Sequence, residues 1–136
     1  MDLQRRRILV VDDDRGIREH VKRLLYAKGF EVVVAGDGKQ ALAALQGGDD
    51  TGAVVLDLLM PAMTGWEFLD AKAADHRIRD VPVFVMTAHD HPQARLRNVA
   101  GLYRKPHDLG RMVDALATRL YGASPGAAPA AVERPR

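Results

Sequence analysis

Unbroken apolar runs alternate along this chain with stretches of helical period. Ile8-Leu9-Val10-Val11 and Ala53-Val54-Val55-Leu56 place apolar residues on both sides of the pleat, so each reads as a strand covered on both faces. Val81 to Met86 is a third such run, with Pro82 near its start, where a missing backbone donor is tolerated. Glu31 to Ala35 reads as another strand and Gly101 to Arg104 as a short last one. Between the strands, Ile17, Val21, Leu24 and Leu25 fall on one helical stripe that Gly29 stops. Ala41, Leu42 and Leu45 form a second stripe ending at Gly47-Gly48, and Trp66, Leu69 and Ala73 a third. A fourth, over Pro92 to Val99, is short, with Leu96 and Val99 as its anchors. Leu109, Met112, Val113, Leu116 and Leu120 make the clearest stripe. Asp14 and Asp108 stand where N-caps of the first and last helices belong. Five strands alternating with five helices predict an α/β fold, a parallel sheet with helices on both faces. From Gly122 to Arg136 the apolar period gives way to Gly, Ala, Ser and Pro, which predicts one domain over residues 1–121 and a flexible tail over 122–136.

Composition narrows the picture. With 47% hydrophobic and 28% charged residues, a chain of 136 residues can bury a core. The absence of cysteine excludes disulfides and thiolate metal sites, and fits a reducing compartment; a cytoplasmic location is expected. The basic start Met1 to Arg7 is followed by only four apolar residues before three aspartates, too few for a secretory core or a membrane span. The net charge of +2 is small, and Arg5-Arg6-Arg7 carries no aromatic residue for stacking on bases. No recognition-helix segment follows Tyr121, so direct DNA binding is not expected, and neither is an output domain.

Chemistry gathers at the strand ends. The first strand runs into Asp12-Asp13-Asp14, the third into Asp57, the fourth into Thr87-Ala88 and the fifth into Lys105-Pro106. In an open parallel sheet ligands collect outside the carboxyl ends of the strands, so these groups converge on one edge. Clustered carboxylates repel one another unless a cation sits among them, and oxygen-only donors suit a hard cation such as Mg²⁺. A carboxylate at the end of a buried strand can act as a nucleophile toward phosphorus, with a metal and one lysine neutralising the phosphoryl oxygens. Taken singly, Asp57 would be a turn former, Asp14 a cap, Lys105 a surface lysine and Thr87 an ordinary strand residue. The argument rests on the constellation.

The segments Ile8-Leu9-Val10-Val11-Asp12-Asp13-Asp14, Leu56-Asp57-Leu58-Leu59-Met60-Pro61 with Gly65, Met86-Thr87-Ala88 and Lys105-Pro106, in this order, resemble the signature of response-regulator receiver domains over Arg7 to Tyr121. The resemblance implies a flavodoxin-like, doubly wound five-stranded parallel sheet of order 2-1-3-4-5. It implies Asp57 as phosphoacceptor, Asp13 as a direct Mg²⁺ ligand, Asp12 as one acting mainly through water, and the Leu59 carbonyl as the last protein contact. Thr87 would be the switch hydroxyl and Lys105 the ion-pair partner, its bond to Pro106 cis. Implied partners are a sensor histidine kinase or phosphotransfer protein and a downstream protein. The implied chemistry is self-directed phosphoryl transfer with slow self-dephosphorylation, not enzyme turnover. Two departures stand out. The aromatic residue usual three positions before the lysine is Leu102, with Tyr103 one place late on the opposite face. The stretch from Thr87 to Lys105 is also short by roughly one helical turn, which implies a shortened fourth helix. Leu59 and His89, two places after the acceptor and the hydroxyl, are the positions expected to govern attack by water. Output is expected from the loop Ala88 to Pro92 and from the last helix near Arg111 and Arg119. Among rivals, a haloacid-dehalogenase-type phosphatase needs a second Asp where Leu59 stands. A degenerate receiver serving as a protein-binding module would have lost the acceptor, the acidic pair or the lysine.

Overall fold

The computed structural model describes residues 7–48, 50–88, 96 and 99–122. The strands are β1 (Arg7–Val11), β2 (Glu31–Ala35), β3 (Thr51–Asp57), β4 (Val83–Thr87) and β5 (Gly101–Arg104). The helices are α1 (Arg15–Ala27), α2 (Gly38–Gln46), α3 (Gly65–Ala73) and α4 (Leu109–Tyr121). All strands pair in parallel in the order β2-β1-β3-β4-β5. The chain leaves β1 for β2 on one side and returns to β3 on the other. The order therefore reverses between β1 and β3, which opens a crevice at their carboxyl ends.

The continuous apolar runs are central because nothing else could cover them. Every residue of β3 and β4 is buried, whereas β2 and β5, at the two edges, are only partly covered. The period of two sorts the strands into two cores. Ile8, Val10, Ala53, Val55, Phe84 and Met86 pack with α1 and α4 on one face. Leu9, Val11, Val54, Leu56, Val83 and Val85 pack with α2 and α3 on the other. The α1 stripe buries Val21 and Leu25, with Ile17 and Leu24 beside them, and α4 buries Leu109, Met112, Val113 and Leu116. Gly29, at φ 90°, turns the chain out of α1.

Several local expectations change. β4 begins at Val83 rather than Val81; Pro82 cannot donate to the ladder, though its carbonyl still accepts from Val54 N at 2.9 Å. In α3 Gly65, Phe68 and Lys72 are buried; of the expected stripe, Trp66 and Leu69 pack half-buried against the second core and only Ala73 is exposed. Gly65, by its close approach to the end of β3, fixes which side of α3 faces the sheet most closely. Asp14 caps α1 through Ile17 N at 3.1 Å. Asp108 stands at the N-cap of α4, as expected, and its carbonyl accepts from Met112 N at 2.9 Å, but its carboxylate accepts from Arg104 N at 3.2 Å and Arg111 Nη1 at 2.9 Å rather than from the helix start. The fourth of the expected helices, over Pro92 to Val99, lies outside the described residues except Leu96 and Val99, both packed on the second core. Four helices are therefore present among the described residues. The loop positions His89 to Pro92 and the tail beyond Gly122 also lie outside them.

Candidate functional site

Asp12 follows β1 directly and is fully buried. Its backbone is tied on both sides: its N–H donates to Ala35 O at 3.1 Å and its carbonyl accepts from Arg18 Nη1 at 3.0 Å. One carboxylate oxygen, Oδ1, accepts from Asp14 N at 2.9 Å, and the other, Oδ2, lies 2.6 Å from Lys105 Nζ. Asp13 is exposed beside it. Asp57 closes the wholly buried β3 and is itself buried, its Oδ1 3.3 Å from Lys105 Nζ. Oxygens of Asp12, Asp13 and Asp57 all lie within 4.8 Å of one another.

The neighbouring elements fix these groups. Gly65 N donates to Leu58 O at 2.8 Å, and a Cβ on Gly65 would sit 2.7 Å from Asp57 O and from Leu58 Cα. Only glycine lets α3 start this close to the acceptor strand. A capping box between Thr64 and Glu67 holds that helix start. Between them the turn passes through Ala62, at φ 68°, while Leu59 stands exposed. Thr87 ends β4, buried, and its carbonyl accepts from Lys105 N at 2.8 Å. The lysine is thereby pinned to the neighbouring strand end, and its bond to Pro106 is cis, as expected.

The electrostatics are those of two buried carboxylates sharing one ammonium. Burial pushes the Asp57 carboxyl up, the negative charge of Asp12 pushes it further, and Lys105 only partly offsets them; it rests at about 6. Burial pulls the Lys105 ammonium down, but hydrogen bonding and attraction from Asp12, and then Asp57, outweigh this and hold it above its ordinary value. With Lys105 nearer to Asp12, Asp57 is the less neutralised of the two. The cluster holds more negative charge than Lys105 neutralises, an arrangement suited to a further cation.

The residues expected at the ends of β1, β3, β4 and β5 therefore reach one edge of the sheet, with Asp12, Asp13 and Asp57 grouped within 4.8 Å and Lys105 paired with Asp12 and Asp57. Sequence reasoning missed Arg18, whose hold on the Asp12 carbonyl has no motif; its only signal is its place one turn after the Asp14 cap.

A family model for the response regulator receiver domain matches residues 8–117. The chain belongs to that family. Its receiver domain is 43% identical over 96 residues to the response regulator MprA of Mycolicibacterium vanbaalenii, and 42% identical over the same length to MprA of Mycobacterium tuberculosis. These matches cover 71% of the chain but 39% of each relative, so the chain spans about two fifths of their length. Among solved structures it resembles the chemotaxis protein CheY4 of Vibrio cholerae, with TM-score 0.72, 29% identity, and coverage of 84% of this chain and 97% of that one. A CheY-like receiver domain protein from Methanospirillum hungatei gives 0.73 and 28%, covering 85% and 94%. Receiver domains are signalling modules of two-component systems, not classical enzymes. Among the described residues no helix is long and apolar enough to cross a membrane.

Proposed function

We propose that this receiver takes a phosphoryl group onto Asp57 from a histidine kinase or phosphotransfer protein and, so modified, acts in the cytoplasm through a protein partner. The observation that carries the reading is the grouping of Asp12, Asp13 and Asp57 within 4.8 Å, with Lys105 3.3 Å from Asp57. An Asp57 carboxylate oxygen attacks phosphorus, and the bond from phosphorus to the donor's imidazole nitrogen breaks. The imidazole leaves with that electron pair and is neutralised by a proton. Asp57 must be ionised to attack, which its value of about 6 allows at neutral pH.

The donor set fits a hard divalent cation: three carboxylates facing one ammonium, oxygen donors only. Asp13 would hold Mg²⁺ directly, with Asp57 and the Leu59 carbonyl, and Asp12 mainly through water. The bound ion would supply charge neutralisation at the phosphoryl oxygens. Thr87, at the neighbouring strand end, donates its hydroxyl to a phosphoryl oxygen, and Lys105 pairs with another as a point charge. The phosphoryl group is then lost slowly, because Leu59 offers no polar atom to hold a water in line.

Incubation with acetyl phosphate and Mg²⁺, followed by intact mass, tests the assignment. One phosphoryl adduct is expected, abolished in Asp57→Asn and by chelation of the metal. An undiminished adduct on Asp57→Asn refutes it. A panel of purified kinases then identifies the donor.

A further inference from the structure

At the end of the sheet opposite Asp57, the end of α3, the turn leading into β4, Val99 and Ala100 before β5, and the end of α4 line an open cleft of about 460 Å³. That volume is in the range of small-molecule sites. Lys72, on its inner side, is only 4% exposed, and its Nζ donates one hydrogen bond, 2.7 Å to Arg79 O. An ammonium carries three donors, and no second acceptor meets this one among the described residues. Asp80 also lines the cleft but closes no ion pair with it. Burial pulls the Lys72 ammonium below its ordinary value and Asp80 offsets this only in part. A buried charge in this condition favours a counter-ion. Arg79 and Arg119, both exposed, line the same cleft, and neither forms an ion pair with a carboxylate of the described residues. The lining between them is mixed: polar groups make up the larger part, and Leu69, Val81 and Val99 add apolar surface.

We propose that this cleft binds a small carboxylate carried on an apolar body, its charged end at Lys72 with Arg79 and Arg119 at the rim. Three cations against one carboxylate select an anion, and the apolar side chains of Leu69, Val81 and Val99 beside them offer an organic body contact that a bare inorganic anion cannot use. The position, at the amino end of β4, separates this site from the phosphoryl chemistry at the other end of the sheet.

Titration of ¹⁵N-labelled protein with hexanoate, free of divalent ions, tests the proposal, with hexanamide as neutral isostere and inorganic phosphate as an anion without a body. Saturable shifts confined to amides around the cleft are expected, with hexanamide and phosphate each at least about tenfold weaker, the worth of one charge-assisted contact or of the buried apolar body. The same shifts should appear in Asp57→Asn, so the outcome is independent of the phosphoacceptor reading. Lys72→Met and Arg119→Gln should each weaken hexanoate by about fivefold or more. Arg119 is exposed, so its variant decides the matter if Lys72→Met does not fold. Equal binding of hexanamide or phosphate, shifts spread beyond the cleft, or unchanged affinity in Arg119→Gln overturns the proposal.

Discussion

Replacing Asp57 by asparagine should make the metal-free protein more stable at pH 8, although it removes the proposed acceptor. The reason lies in where the carboxyl titrates. An ordinary value of 3.8 rises to about 6 in the fold, chiefly through burial and then through Asp12. Folding therefore disfavours the ionised form, by about 3 kcal/mol at roughly 1.4 kcal/mol per tenfold change. For a carboxyl raised in this way the burden is absent below the unfolded value, grows between 3.8 and about 6, and is complete above it. The amide removes the charge at nearly constant volume and leaves Lys105 paired with Asp12 at 2.6 Å. The value of about 6 already includes the attraction of Lys105, so about 3 kcal/mol is the ceiling, and a gain of about 1–3 kcal/mol is expected at pH 8, or about 4–12 °C at roughly 4 °C per kcal/mol. By pH 5 the gain should fall to about half. Thermal unfolding of both proteins from pH 5 to pH 8 with a chelator present measures it. A variant no more stable than the parent at pH 8, or a gain that does not shrink toward pH 5, refutes the reasoning.

Mg²⁺ should raise the midpoint of the parent protein at pH 8, by about 2.7 kcal/mol at a hundredfold excess over its dissociation constant. Asp13→Asn should lose most of that increase, and because Asp13 is exposed its metal-free midpoint should hardly move. Gly65→Ala should cost about 1–3 kcal/mol in urea unfolding and slow phosphoryl uptake, since its Cβ would press within 2.7 Å of the Asp57 carbonyl. An unchanged midpoint would mean that the start of α3 has slack. Leu59→Asn, at an exposed position, should change stability by less than about 0.5 kcal/mol yet speed loss of the phosphoryl group, followed by intact mass over time. An unchanged decay rate counts against a role for Leu59 in excluding water.

What the sequence disclosed, and what it hid, follow from how each signal is encoded. Unbroken apolar runs disclosed β1, β3 and β4, since a strand buried on both faces must be apolar throughout. Strand-end placement disclosed Asp12, Asp57, Thr87 and Lys105, because parallel strands deliver their ends to one edge. The face of α3 is legible in part: Trp66 and Leu69 pack on the second core as expected, and Ala73 does not. Lys72 carries no apolar signal, yet its ammonium reaches the Arg79 carbonyl and its stem lies buried. Asp108 takes the N-cap position that the sequence indicates, but its carboxylate is claimed by other donors, Arg104 N and Arg111, which spacing alone does not reveal. Arg18 was not legible at all, since its contact to the Asp12 carbonyl depends on tertiary approach rather than spacing.

The last strand limits how a change at Asp57 can travel. Leu102 packs with the core under α2 and α3, and Tyr103 with the core under α1 and α4, so the one aromatic ring of β5 points away from Leu102. That ring lies back over Gly101, where a Cβ would meet it at 2.7 Å; the missing side chain is what makes room for it. The swing of an aromatic side chain toward Thr87 is therefore unavailable on the Leu102 face, and the ring on the other face occupies the space over Gly101. What does join the strand ends is backbone: Lys105 N to Thr87 O at 2.8 Å, with Leu102 in register with Val85 and Tyr103 with Met86. If Thr87 is the switch hydroxyl proposed above, a pull on it would be passed to Lys105 through this main-chain hydrogen bond, while Leu102, with no polar atom, can only repack. The Lys105 side chain adds a second tie between the acidic site and the end of β5, through its ion pairs with Asp12 at 2.6 Å and Asp57 at 3.3 Å, and neither tie needs a rotating ring.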